Sequence, residues 1–206
     1  MRNEIMYYLK TIEDKIRVPP NLFGSDIEDA VLNILREKFE RRIFKDIGLI
    51  LIVDNPKIVS EGIVIPGDSG AYYKVNFDAT TFMPYVNEVY EADIKEIVEF
   101  GAFASVGPLQ GLLHVSQISR DKFFYDKKGK HLISREEKKT LKKGDKVLVK
   151  VSTVSLKGTT AETKIGLTMR PDGLGKTEWL EEKEKRAKKL AEKAVEKKTE
   201  KKEDKK

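Results

Sequence analysis

The run VEFGAFASVGPLQGLLHVSQIS, Val98 to Ser119, leaves the backbone fewer choices than any other part of the chain. An apolar strand enters Phe100-Gly101-Ala102-Phe103, placing two aromatics three residues apart with a glycine between them. A glycine inside a strand marks a bulge or a close backbone approach, and it bends the strand there. Gly107-Pro108 then supplies a turn, and Gly111-Leu112-Leu113-His114-Val115-Ser116 reads as a second short strand. Further on, Gly144–Val151 and Lys164–Arg170 alternate, apolar on one face and basic on the other, so both are expected to be strands.

The chain before this stretch follows a different pattern. Tyr7–Val18 alternates loosely and stops at Pro19-Pro20, which fits a strand closed by a rigid turn. Ser25-Asp26-Ile27-Glu28 has the form of a capping box, with the serine oxygen accepting an amide proton and Glu28 reaching back. Ile27, Ala30, Val31, Ile34, Leu35 and Phe39 follow on one helical face, and Arg41-Arg42 lies at the negative end of the helix dipole. Ile47–Val53 is apolar at nearly every position and is expected to be a strand buried on both faces. Lys57–Ile65 reads as another strand, interrupted by Gly62, and the turn Pro66-Gly67-Asp68-Ser69-Gly70 leads into Ala71–Met83. There Tyr73, Val75, Phe77 and Ala79 alternate with more polar residues until Pro84. The expected fold of this half is α+β: one helix on an antiparallel sheet of about four strands, RNP-like in its layering.

Composition narrows the function. The 206 residues are long enough for one or two domains with proper cores. The net charge is +6, but the segment from Lys176 onward holds 13 basic and 9 acidic residues, so +4 of the excess lies there. The remaining +2 makes only a weak case for an anionic partner of the folded part. Cysteine is absent and only His114 and His131 are present, which excludes thiolate chemistry and disulfides and leaves a zinc site only unusual carboxylate ligands. No metal or cofactor is expected. No apolar run approaches membrane-spanning length and no secretory signal opens the chain, so the expected setting is cytoplasmic, with no membrane partner. Met6 is an alternative start, since Met1–Glu4 contribute no pattern. Gly67-Asp68-Ser69-Gly70 lacks the spacing and following Lys-Ser/Thr of a phosphate-binding loop, and no Asp-x-Asp cluster suits a two-metal site. The chain is therefore not expected to be an enzyme.

From Tyr90 to Arg170 the order of strands and motifs resembles the S1-type RNA-binding domain, an OB-fold β-barrel of five strands. In that family both aromatics of the Phe-Gly-x-Phe step, the His, and a base just before the last strand line the RNA surface. The resemblance thus implies RNA-binding roles for Phe100, Phe103, His114 and Lys164. Single-stranded nucleic acid is held by aromatic faces that stack on bases and cations that follow phosphates, which suits these residues, with Lys150 expected on the same barrel face. The sequence departs from the family at Ser155, where many members carry Asp. Phe103 also has a plainer reading as a core filler, since strands alternate faces and small barrels need aromatic filling.

The whole run from Tyr7 to about Leu180 resembles the larger stalk subunit of archaeal RNA polymerase, the E-prime type, counterpart of the seventh subunit of eukaryotic RNA polymerase II. Val18-Pro19-Pro20, Gly67–Tyr72, Val98–Gly101, Gly107-Pro108, His114–Gln117, Leu167–Arg170 and the Gly175-Lys176-x-Glu178-Trp179 pattern carry the likeness. It implies a non-catalytic subunit that docks on the polymerase core through Pro66, Gly67, Asp68, Ser69 and Gly70. A small stalk subunit would form a heterodimer with it, and the barrel would bind emerging single-stranded RNA. Family members carry an insertion where Ile118–Gly144 exceeds a short connection. Here Phe123-Phe124-Tyr125-Asp126, a Lys-Lys-Gly turn and His131-Leu132-Ile133 suggest a hairpin over about 122–143, its aromatics serving either packing or extra RNA contact.

The expected organisation is a docking domain over residues 1–86, the S1-type domain over 87–175 and a charged extension over 176–206. That extension favours helix by propensity, with Trp179, Leu180, Ala187, Leu190 and Ala194 as its apolar seam. Two other functions stay open from sequence. One is a free S1-domain accessory of an RNA-degrading complex or of translation. The other is a scaffold whose barrel binds protein only.

Overall fold

The computed structural model describes residues 7–24, 26–135, 139–183 and 185. Its described residues divide into two compact units, one formed by those up to Tyr85 together with Val154–Lys164, the other by those of Val86–Thr153 and from Ile165 on.

In the first unit, β1 (Tyr7–Val18) ends where Pro19 and Pro20 open a single 3-10 turn. Helix α1 (Ile27–Phe39) follows. Its N-cap is Asp26, whose side chain accepts from the Glu28 amide at 3.0 Å, so the cap is this residue rather than the serine expected from the sequence; Ser25 lies outside the described residues. Aspartate caps as well as serine does, since either oxygen satisfies an orphan amide of the first turn. Next come β2 (Ile43–Phe44), β3 (Gly48–Ile58), β4 (Ile63–Val64) and β5 (Ala71–Phe82). They form one antiparallel sheet in the order β1-β5-β3-β2, with β4 also on β5.

Val31, Leu35 and Phe39 of α1 pack in one buried cluster with Ile16 and Val18 of β1, Ile50 and Val53 of β3, and Val75, Phe77 and Ala79 of β5. Phe77 is its largest member, 1% exposed and with its ring centroid 5.1 Å from that of Phe39. The period-3.6 stripe of the helix and the period-2 rows of the strands therefore meet on a single face.

Two expectations about this sheet need correction. The segment Ile47–Val53 is not buried on both faces: Leu51 is half-buried and Ile52 is 54% exposed. Register shifts between Ile50 and Ile52 and between Asp54 and Lys57 show that β3 is bulged, which re-aims its side chains. The second correction concerns Lys57–Ile65, which is not a single strand. β3 runs through to Ile58, and the chain rejoins the sheet only at the short β4.

The second unit is built on β6 (Val89–Val98), β7 (Gly101–Val106), β8 (Leu109–His114), β12 (Lys146–Ser155, its last two residues counted with the first unit) and β13 (Lys164–Thr168, its first residue counted with the first unit), which pair in the order β13-β8-β7-β6-β12, with β13 pairing back on β12. Five strands thus close an OB-type barrel. The β13–β8 pairing is parallel and the pairings along β8-β7-β6-β12 are antiparallel. Ala102, Ala104 and Val106 of β7, Leu113 of β8, Val147, Val149 and Val151 of β12, and Ile165 and Leu167 of β13 face inward and are buried. A short β14 (Gly175–Lys176) adds to β12 outside the ring. Lys176 is itself buried, and its ammonium meets Glu178 at 2.7 Å and Asp145 at 3.1 Å. Burial alone would depress this lysine, but the two carboxylates outweigh it and hold it above its ordinary value.

The segment between barrel strands forms its own three-stranded sheet of β9 (Phe123–Asp126), β10 (His131–Ser134) and β11 (Thr140–Leu141), in the order β11-β10-β9. Asp126 closes the β9–β10 turn by accepting from the amides of Lys128 (3.0 Å) and Gly129 (3.2 Å). A helical stretch starts at residue 177, so Trp179 and Leu180 of the expected C-terminal seam are described, and the rest of the seam lies outside the described residues.

The first-unit core makes a definite stability prediction. Phe77→Ala should cost about 3–5 kcal/mol, the range for emptying a buried aromatic site. Urea unfolding followed by circular dichroism measures it. A loss below about 1 kcal/mol, the size of a typical tolerated swap, would mean that this ring is not packed as described.

Candidate functional site

The barrel face is built by strand alternation. With Ala102, Ala104 and Val106 pointing inward, the residue between the alanines, Phe103, must point outward, where it is half-buried. Gly101 is what brings β7 and β8 together at this end. A Cβ there would overlap the Leu113 carbonyl and sit 3.0 Å from the His114 Cα. The close approach pairs Gly101 with His114 and Phe103 with Leu112, and the Val115 amide donates to the Phe100 carbonyl at 2.9 Å. Phe100 is 50% exposed, and its ring meets that of Phe103 edge-on at 6.5 Å. An edge-on aromatic pair is a favoured arrangement and leaves ring faces open.

His114 is exposed at the end of β8. Its Nδ1 accepts from the Ser116 backbone amide at 3.3 Å, with the Ser116 hydroxyl 2.8 Å away. In the neutral ring the proton therefore sits on Nε2, which can donate outward to a base or phosphate oxygen.

The two lysines expected on this face are placed differently. Lys164 is exposed at the start of β13, two residues before Gly166, which pairs with Leu112 beside Phe103. Lys150 points outward from β12, but it pairs with Val89 at one end of β6, whereas Phe103 pairs with Glu96, seven residues further along. The register brings Phe100, Phe103 and His114 together and does not put Lys150 beside them.

The loop Pro66–Gly70 in the first unit is a built structure rather than a loose turn. Gly67 takes φ +93° in open space, a conformation that disfavours side chains. Gly70 leaves room for the Arg17 side chain: a Cβ there would lie 2.8 Å from Arg17 Nε, so the guanidinium would have to shift. Asp68 is the loop's hub. Its carboxylate accepts from Arg17 Nε at 2.8 Å and Arg17 Nη2 at 2.5 Å, from the Gly70 amide at 2.9 Å and from the Tyr72 hydroxyl at 2.7 Å. The bidentate Arg17 contact, then the Gly70 amide and the Tyr72 hydroxyl, hold the Asp68 carboxyl well below the usual carboxylate range. The same contact raises Arg17, and the bond to Asp68 raises the Tyr72 phenol. Next to this ordered loop stand exposed apolar side chains, with Ile63 at 63% and Val64 at 62% exposure and Val59 and Ile65 also open. Sequence reading singled out the loop but missed Arg17, its partner 51 residues away. The only available signal was a cation at the end of β1 opposite an acidic turn.

A closed OB-type barrel with an outward aromatic cluster defines an S1-type module, and comparison with known proteins agrees. Residues 84–163 match the S1 RNA-binding domain family, and residues 13–70 match the SHS2 domain found in the N terminus of Rpb7p and Rpc25p. The chain is 39% identical over 180 residues to DNA-directed RNA polymerase subunit Rpo7 of Saccharolobus solfataricus, covering 87% of this chain and 100% of that one. It is also 32% identical over 101 residues to DNA-directed RNA polymerase III subunit RPC8 of Saccharomyces cerevisiae, covering 49% of this chain and 48% of that one. Among solved structures it matches Mycoplasma genitalium RNase R in complex with ribose-methylated single-stranded RNA at 25% identity over 40% of this chain and 13% of that one. The TM-score there is 0.36.

The chain belongs to the Rpo7 family of DNA-directed RNA polymerase subunits. These are accessory stalk subunits rather than parts of the catalytic core. Membership settles the choice left open by the sequence against a free S1-domain accessory.

The Asp68 hub gives a pH prediction. A carboxyl whose folded value is depressed stabilises the fold above its unfolded value, near 4, and that contribution is lost as pH falls through the lower folded value. The loop should therefore keep its order from pH 9 down to about pH 5 and loosen only in stronger acid. Hydrogen exchange or NMR at the Gly70 amide measures this, and loosening between pH 6 and 8 would contradict the assigned hub.

Proposed function

We propose that this chain serves as the RNA-guiding stalk subunit of a DNA-directed RNA polymerase, with each unit carrying one task. The helix-on-sheet unit, about residues 1–86, docks on the polymerase core through Pro66, Gly67, Asp68, Ser69 and Gly70. The S1-type unit, about residues 87–175 with its insertion at 122–143, holds emerging single-stranded RNA. Residues 176–206 form a charged extension, a small stalk subunit is the heterodimer partner, and the complex works in the cytoplasm. No cofactor or metal takes part.

The observation that carries the RNA reading is the outward-facing Phe100–Phe103 pair, Phe100 exposed and Phe103 half-buried, with exposed His114 at its edge. Bases stack on open aromatic faces without regard to sequence, which suits a protein that must accept any transcript. Lys164 supplies a phosphate contact on the same strand set, and Lys150 a more distant one. The docking reading is supported by a rigid, pre-ordered loop flanked by exposed Ile63, Val64 and Ile65. A pre-organised loop loses little entropy on binding, and exposed apolar groups beside it gain from being covered.

Two arms test the proposal. Phe103→Ala and His114→Ala should each weaken single-stranded RNA binding by roughly 1–3 kcal/mol, with weak sequence dependence and strong salt dependence. Titration of labelled RNA measures this, and unchanged affinity would return both side chains to packing roles. Asp68→Ala should release the loop, so that the variant still pairs with the small stalk subunit but co-purifies poorly with core polymerase. Normal recovery with the core would exclude the loop as the docking element.

A further inference from the structure

The insertion places a second aromatic and a second set of cations just beyond His114. Of its three adjacent aromatics, Phe123 is buried, with its ring centroid 6.1 Å from that of Trp179, and Tyr125 is half-buried. Phe124 points the other way, is 42% exposed, and carries the Arg135 guanidinium 4.2 Å above its ring. Packing thus explains Phe123 but not Phe124.

Phe124 lines a cleft of about 330 Å³ together with Val115, Ser116, Arg120, Lys122 and Arg170. Val115 and Ser116 directly follow His114, and Ser116 is the residue that orients its ring, so the cleft opens where the aromatic face ends. The Lys122 and Arg170 side chains have no ion-pair partner among the described residues, and Arg120 has only a solvent-exposed contact to Asp172 at 3.7 Å. Exposed pairs of this kind contribute little and exchange readily for a phosphate. Asp121 also lines the cleft, but its Oδ2 is buried below the surface and is not offered to a ligand.

We propose that this cleft is a second RNA subsite, continuous with the barrel face. A base stacks on the Phe124–Arg135 pair, and the phosphates on either side meet Lys122 and Arg170. The inference rests on the RNA reading of Phe100, Phe103 and His114, and it extends the path of the strand past them toward the insertion. Aromatic and guanidinium planes both accept a stacked base, so the pair offers a platform wherever the strand crosses it.

The test uses the full chain and single-stranded RNAs of about four and about sixteen nucleotides, the two ends of the range for an OB-type site. For Phe124→Ala the longer RNA should bind roughly tenfold more weakly, the order of one lost base–aromatic stack, and the loss should grow with RNA length. For the double variant Lys122→Ala, Arg170→Ala the salt dependence of long-RNA binding should flatten by about 1.4 in slope, the value for two phosphate contacts to a single strand. Both sites are exposed, so each variant should keep its melting temperature. If Phe103→Ala weakens both RNAs while the cleft variants bind the long one like the parent, the cleft does not hold RNA, and the barrel-face reading stands. If Phe103→Ala weakens neither, the barrel-face reading falls and the inference with it.

Discussion

The steric constraint at Gly101 governs the arrangement of the barrel face. Only a hydrogen atom fits between its Cα and the Leu113 carbonyl, and that contact lets β7 and β8 converge. Convergence sets the register that pairs Gly101 with His114 and Phe103 with Leu112. Since the strand period is two, a slip of one residue would send Phe103 into the barrel and bring Ala102 and Ala104 out. The buried alanines and valine of β7 oppose such a slip, because each already fills its place inside. Core packing and the aromatic surface are thus two faces of one register.

In the first unit, order at the loop comes from charge rather than packing. Asp68 gathers a guanidinium, an amide and a phenol around one carboxylate, and the glycines at 67 and 70 provide the backbone shape and the space that this needs. The contact is partly solvent-exposed and so contributes modestly to overall stability. Its effect is local, since it fixes the conformation of a loop that would otherwise sample many. Exposed Val64 and Ile65 would then be presented in one arrangement.

Much of this was legible in the sequence because periodicity is local. The helical stripe of Ala30, Val31, Leu35 and Phe39 and the alternation of Val75, Phe77 and Ala79 can each be read within one segment, and all of these residues are buried. The glycine inside Phe100–Phe103 signalled the close approach at Gly101 in the same local way. What escaped depends on partners distant in the chain. Ile52 faces solvent because bulges in β3 change its register against β5, and an apolar run does not reveal a bulge. The pairing of Arg17 with Asp68 and the packing of Phe123 near Trp179 join residues 51 and more positions apart. The helix cap moved by one residue because Ser25-Asp26 offers two good capping side chains in a row, and propensity alone does not choose between them. Lys150 was grouped with the aromatics on alternation alone, which gives the face of a strand and not the position along its neighbour.

The central claim is that Phe103 presents an aromatic face to the transcript in the assembled polymerase. A photo-reactive aromatic amino acid placed at position 103 tests it most directly, using transcription complexes stalled with labelled RNA of increasing length. The account predicts label transfer to this chain once the transcript is long enough to leave the core, and much weaker transfer from the same group at exposed Asn33 on α1. Equal or weaker transfer from position 103 than from position 33 at every transcript length would contradict it.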